Sequence, residues 1–146
     1  MSYNGIFIAA FAIFILVVAI AIVLALNKTP VKFCFGEKCF SGELADNFLK
    51  KALGMMFRDS MADGYGMVFP MDGMNASFWM KNVKFPLELI CVKDGKITET
   101  ITMETCEKTN GCIYYRPKTE VDYAIETNVG FSEKNGVKEG MAFRLQ

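Results

Sequence analysis

From Gly5 to Leu26 the chain reads GIFIAAFAIFILVVAIAIVLAL, with no charge, proline or polar side chain. At the helical rise this run is about 33 Å long, enough to cross the hydrocarbon core of a bilayer. A charge at its centre would cost about 3 kcal/mol, and none is present. A removable signal has a basic start, a shorter apolar middle and a small-residue cut. Here MSYNG precedes the run and Leu24-Ala25-Leu26 closes it. The first cysteine stands in Val31-Lys32-Phe33-Cys34, a poor site for lipid attachment. Nor does a buried core helix suit the segment, because so small a remainder hardly wraps a helix that is apolar on every face. The reading is an uncleaved single span at residues 5–26. A tail at 1–4 precedes it, a polar link at 27–30 follows, and one domain occupies 31–146.

Lys28 and Lys32 follow the span and only the terminal amine precedes it, which favours a cytoplasmic domain. The cysteines favour the opposite side. Cys34 and Cys39 bracket Phe35-Gly36-Glu37-Lys38. If Gly36-Glu37 form a type II′ turn, Phe35 faces Lys38 and Cys34 faces Cys39, close enough for a disulfide. Cys106 and Cys112 flank the turn-rich Glu107-Lys108-Thr109-Asn110-Gly111 and can close a small loop. Cys91, inside the apolar run Leu87–Val92, reads as a small buried hydrophobe. Two short bridges imply an oxidising, extracytoplasmic compartment. The CxxC knuckles of a zinc site are absent, so no metal is expected. Two lysines are outweighed, since whole domains translocate despite such charges.

Lys plus Arg number 16 and Asp plus Glu number 16, so no basic stripe advertises nucleic acid. The histidine count is 0, which removes His triads, His general bases and His metal ligands together. Asp46 is expected to cap a helix through Phe48, Leu49, Ala52 and Leu53, stopped by Gly54. Met67–Phe69 and Ala76–Met80 read as short strands with an Asp72-Gly73 turn between them. The clearest hairpin runs from Leu87–Val92 through Asp94-Gly95, a type I′ signal, to Ile97–Met103. In its second strand Ile97, Glu99, Ile101 and Met103 share one side, with threonines opposite. Strands follow at Tyr123–Thr127 and Met141–Leu145, joined by a connection punctuated by Gly130, Gly136 and Gly140. The fold class expected is α+β: a small, mostly antiparallel, β-barrel-like domain with one short helix, preceded by a single transmembrane helix.

Several segments occur in a recognisable order: Leu53-Gly54-Met55-Met56-Phe57-Arg58, Gly64-Tyr65-Gly66-Met67-Val68-Phe69, and Phe78-Trp79-Met80-Lys81-Asn82 followed by Phe85-Pro86-Leu87. Then come Ile125-Glu126-Thr127-Asn128-Val129-Gly130 and Gly136-Val137-Lys138-Glu139-Gly140. The set resembles the domain-of-unknown-function 192 family (DUF192), small prokaryotic proteins often found behind a signal or anchor segment. The resemblance covers nearly all of the chain after about residue 38. It implies a compact, mainly β fold with a short helix and supplies no established reaction or ligand. Glu88 stands where the family pattern has aspartate after Pro-Leu, and Met141 where an acid often follows the last glycine. The paired cysteines are additions of this chain.

Arg58, Lys81 and Asn82 are polar residues inside apolar motifs, and with Trp79 they make a candidate recognition patch: an aromatic platform with donors beside it. Sugars suit such a patch, and an anionic ligand would use Arg58 as a fork. The ordinary alternative puts Trp79 and Met80 in the core and Asn82 in a turn. Glu126 and Asn128 sit two apart in a strand, hence on one face, either to hold a ligand or to make a salt bridge or a loop-bracing hydrogen bond. Asp59, Asp63 and Asp72 lack the pattern of a calcium loop. The ten methionines lack the tight repeats of copper sites and read as packing. No cofactor and no catalytic set are expected. The function expected is a membrane-anchored, extracytoplasmic, non-catalytic module binding an envelope polysaccharide or a membrane-protein partner. The alternatives are a carboxylate-dependent hydrolase of envelope polymers and a structural accessory subunit of a membrane assembly.

Overall fold

The computed structural model describes residues 3–74 and 76–146. The apolar run forms helix α1, Tyr3–Leu26. Its stretch Phe7–Ala25 is long and apolar enough to cross a membrane, and none of it is buried against the domain. Pro30, with no N–H to donate, begins strand β1, Pro30–Phe35. Strand β2, Lys38–Leu44, pairs with it antiparallel, Phe35 opposite Lys38 and Cys34 opposite Cys39. Gly36 takes φ 59° while Glu37 is not among the residues of positive φ, the pattern of a type II′ turn. Cys34 and Cys39 are bonded across this hairpin, and Cys106 and Cys112 close the loop of turns between them. Cys91 is free and buried.

Helix α2, Phe48–Leu53, links β2 to the parallel strand β3, Tyr65–Met74. Asn47, not Asp46, caps α2, its side-chain oxygen accepting from Lys50 N at 2.9 Å. Asp46 is occupied instead by Thr29 Oγ1 at 2.7 Å and Lys50 Nζ at 2.9 Å. Gly54 ends the helix at φ 48°. The expected apolar face is only partly used: Leu49 and Leu53 are half-buried, while Phe48 points outward at 86% exposure.

Asp72-Gly73 is not a turn between two strands. β3 runs on to Met74, and its pairing shifts register between Pro70 and Met74, so the pair sits in a bulge where Asp72 takes φ 52°. Strand β4, Phe78–Trp79, leaves the main sheet and pairs with the later strand β7, Tyr114–Tyr115.

Strands β5, Leu87–Lys93, and β6, Lys96–Met103, form the expected hairpin, with Asp94 and Gly95 both at positive φ. A bulge shifts its register between Cys91 and Val92. Ile97 therefore joins the opposite core from Ile101 and Met103 rather than sharing their side. Strand β8, Val121–Asn128, lies between β3 and β5. A second short helix of the domain, α3 (Phe131–Asn135), precedes β9, Phe143–Leu145. This helix, in the glycine-punctuated connection, is started by Glu88, whose carboxylate accepts from Gly130 N at 3.1 Å and Ser132 N at 2.9 Å. An acid after Pro86-Leu87 thus has a structural use.

The sheet order is β6-β5-β8-β3-β2-β1-β9. It curls until Lys96 bridges to Ala142 and Phe143 N donates to Gly95 O, bringing the two edges together into a half-barrel. Phe33, Phe35, Ile90, Ile97, Ile125 and Phe143, contributed by both edges and the centre, pack on the concave face. Met55, Met67, Phe69, Phe78, Leu89 and Ala124 pack on the other face, beneath α2 and the β4 segment. Burial of β5 on both faces explains its apolar run Leu89–Val92. The class is α+β, as expected.

Candidate functional site

β8 is an interior strand of the sheet, and Glu126 lies on it between Met67 of β3 and Leu89 of β5. Alternation puts its side chain on the same face as Ala124, against the α2 side. The residue is only 6% exposed, and its Oε2 has no hydrogen-bond partner among the described residues. Burial pushes its carboxyl up to about 8, an effect the Arg58 charge partly offsets.

Glu126 lines a cleft of about 280 Å³, walled by Ala52 to Met56 at the end of α2 and just beyond it, by Phe69 and Met71 of β3, and by Phe78, Trp79 and Val83. Lys51 and Ser77 are its other polar lining residues. Gly54 keeps the floor open. A Cβ there would lie 3.5 Å from Phe69 Cζ and 3.6 Å from Glu126 Oε2, on a backbone of positive φ. A second cleft of about 200 Å³ shares Leu53, Gly54 and Met56 and adds Glu43, Lys50, Arg58 and Met67. There the Arg58 guanidinium donates to the buried Glu43 carboxylate.

The segment carrying Arg58 is held in a strained form. Phe57 adopts φ 64°, an outlier for a bulky side chain. Its N–H donates to Asn82 O at 2.9 Å, and Asn82 itself takes φ 56° in the turn after β4. Asn82 thus acts through its backbone. Asn128 Nδ2 donates to Met61 O at 2.9 Å and braces the loop that follows Arg58. Trp79 is on the cleft rim, 37% exposed, while Met80 is buried in the core. Tyr114 stacks on Trp79 at 5.7 Å and 14°, and Lys81 Nζ lies 5.1 Å from the indole centroid.

The candidate residues therefore divide. Glu126, Trp79 and Arg58 surround two adjoining clefts, whereas Lys81 covers the indole, and Asn82 and Asn128 brace the surrounding loops. Sequence reasoning did not single out Glu43, whose signal is an acid inside the strand run Phe40–Leu44. It read Gly54 only as a helix stop and overlooked its open side toward Glu126.

The class of this protein is a curled, mostly antiparallel half-barrel, here with a buried acid, Glu126, that has an oxygen unpartnered among the described residues beneath a methionine-lined cleft. The chain belongs to the DUF192 family, described as "Uncharacterized ACR", which matches residues 31–145. Two solved structures are similar. One is a protein of unknown function from Novosphingobium aromaticivorans, 24% identical with a TM-score of 0.68, covering 80% of this chain and 84% of that one. The other, from Sinorhizobium meliloti, is described as a candidate transcription regulator. It is 23% identical with a TM-score of 0.67, covering 82% of this chain and 95% of that one. At such identities the likeness concerns fold alone. No curated protein matches the chain significantly.

Proposed function

We propose that the protein is a membrane-anchored, extracytoplasmic, non-catalytic module that receives a segment of a membrane-protein partner in the Glu126 cleft. The observation that carries this reading is the unpartnered Glu126 Oε2 beneath an apolar cleft. A buried polar atom without a partner costs free energy, and a peptide N–H or C=O arriving with a ligand segment removes that cost. Anchoring is supported by the length and composition of Phe7–Ala25. An oxidising compartment is supported by the two disulfides.

Met55, Met56 and Met71 give the cleft adaptable thioether walls, which suit apolar side chains of varied shape. A volume of about 280 Å³ holds one large side chain more readily than a run of sugar rings. The indole that would serve a sugar as platform already carries Tyr114 and Lys81. Tethering raises the local concentration of the module, so a weak site suffices.

Trp79 is the single tryptophan of the chain and stands on the cleft rim, so its fluorescence reports occupancy. The full chain in detergent micelles is titrated with short peptides centred on Met, Leu or Phe, and separately with envelope-type saccharide fragments. Saturable shifts with peptides, lost in Glu126→Leu, support the reading. Saturation by saccharides alone, or a peptide response indifferent to Glu126→Leu, sinks it.

A carboxylate-dependent hydrolase is the second reading. Its support is the Glu126 carboxyl, which burial pushes up to about 8 and which therefore keeps its proton near neutral pH, as a general acid requires. Against it, Glu43 in the adjoining cleft is committed to Arg58. Turnover of an envelope polymer that Glu126→Gln abolishes without weakening binding would favour the enzyme.

A further inference from the structure

The link between α1 and the domain is tied down rather than loose. Asn47 serves two helix ends with one side chain: its oxygen caps α2, and its Nδ2 donates to Ala25 O in the last turn of α1 at 2.9 Å. Thr29 O accepts from Leu44 N at 2.8 Å, and Thr29 Oγ1 accepts from Lys50 Nζ at 2.8 Å while donating to Asp46. Lys50 is buried by this cluster at 8% exposure. α2 is therefore joined to the end of α1 by the Asn47–Ala25 hydrogen bond and to the link between them by the bonds of Lys50 and Asp46 to Thr29.

Phe48 follows Asn47 directly and is the most exposed large hydrophobic residue among those described, α1 included. Its backbone lies on the order of 10 Å from that of Ala25, given one Cα step and one side-chain hydrogen bond between them. Ala25 is the last residue of the apolar stretch, where a bilayer's hydrocarbon core gives way to a headgroup layer about 5–8 Å thick. An outward phenylalanine at that place sits at the depth where aromatic side chains are enriched. Ala52, one helical turn on, is also exposed and stands at the edge of the Glu126 cleft, and Lys28, its Nζ 6.0 Å from the Tyr65 ring centroid, is an exposed cation just after the span.

We propose that the outward face of α2 docks on the bilayer surface, with Phe48 inserted into the interfacial layer on the side where α1 emerges. This rests on the reading of α1 as a membrane span. The occupant is lipid because the face is joined through Asn47 to the end of that span. Docking restricts the tilt of the domain. It also keeps the cleft, whose lining begins at Lys51 in the same helix, close to the membrane.

The test uses the full chain reconstituted in phosphatidylcholine vesicles whose acyl chains carry a spin label at a shallow or a deep position. Phe48→Trp is placed in a Trp79→Phe background, and Glu37→Trp in the same background is the reference. Glu37 is exposed at the far end of the β1–β2 hairpin, about 20 Å along β1 from its membrane-proximal end. Because Phe48 is outward, its substitution leaves the core intact, and circular dichroism checks this.

The expected result is blue-shifted emission for Phe48→Trp. Its quenching by the shallow label should be roughly twofold stronger than by the deep one, as for a ring held 5–10 Å into the interface. Glu37→Trp should be unquenched. Vesicle-bound chain with α1 protected from protease but Phe48→Trp unquenched and red-shifted would overturn the docking and leave the anchor standing. A blue shift without lipid quenching that disappears on dilution into excess lipid would assign the face to a second copy, and also overturn it. Chain that stays in the aqueous fraction overturns the anchor reading beneath both.

Discussion

Replacing Glu126 by Gln removes one proton site while keeping the shape of the side chain, and its effect on stability has a definite sign. The carboxyl stands at about 8 in the folded protein against an ordinary value of 4.5. Below about pH 4.5 the folded and unfolded chains both hold the proton, so the group adds no pH dependence. Between 4.5 and 8 the unfolded chain releases the proton and the folded chain keeps it, so stability falls as pH rises. Above 8 both states are ionised and the fall stops.

At about 1.4 kcal/mol per pH unit the whole window corresponds to a ceiling of about 5 kcal/mol. Water drawn toward the ionised group lowers this, and a loss of about 3 kcal/mol is the working expectation. Other shifted groups stay out of the window. Hydrogen bonds from Lys50, Lys84, Lys134 and Lys93 hold Asp46, Asp59, Asp63 and Asp122 respectively below 3.8. Burial pushes the Cys91 thiol up to about 12, so its effect begins only at alkaline pH. The assay is denaturant unfolding of the full chain in detergent, read by Trp79 emission at several pH values from 5 to 8. Parent stability should decline across this range and Glu126→Gln should be flat. A flat parent, or a variant with the parent's slope, refutes the placement of an ionisable acid in that buried position.

Three further outcomes follow from the same geometry. Gly54→Ala puts a Cβ on a backbone at φ 48° and over the cleft floor. It should cost about 1–2 kcal/mol in the same unfolding assay and weaken peptide binding. Arg58→Ala leaves the Glu43 carboxylate buried without its partner and should cost about 3 kcal/mol, with Arg58→Lys recovering part. Replacing Cys34 and Cys39 together by Ala should cost about 2 kcal/mol, the value for so short a loop. In the parent, non-reducing alkylation should label one thiol, Cys91, and only after unfolding.

Much of this architecture was legible where local chemistry dictates it. Gly36 fixed the first turn and with it the opposition of Cys34 and Cys39. Asp94-Gly95 fixed the β5–β6 hairpin, and Gly54 the end of α2. The misreadings fall where a distant partner decides. Asn47 displaced Asp46 as the cap because its amide also reaches Ala25, a contact that spacing within α2 does not reveal. The bulge at Cys91/Val92 moved Ile97 to the concave face, which period-2 counting misses. Helix α3 depends on the Glu88 carboxylate from β5.

The site divides in the same way. Glu126 and Trp79 were visible as a charge and an indole in apolar motifs. That Glu126 would be orphaned under a cleft depended on Gly54 and Met55 after α2 converging with Phe69 of β3. Phe48 looked like a core residue because helical periodicity identifies an apolar stripe without saying what covers it.

The central claim is that the Glu126 cleft takes a segment of a membrane-protein partner. Its most direct test places a photoreactive side chain at Ser77, an exposed residue of the cleft wall, in full-length protein within membranes of the source organism. A discrete adduct with a membrane protein should form on illumination, be lost with Glu126→Leu, and be absent when the same group is placed at Glu37. Adducts that are indifferent to Glu126→Leu, or equal from Glu37, would contradict the account.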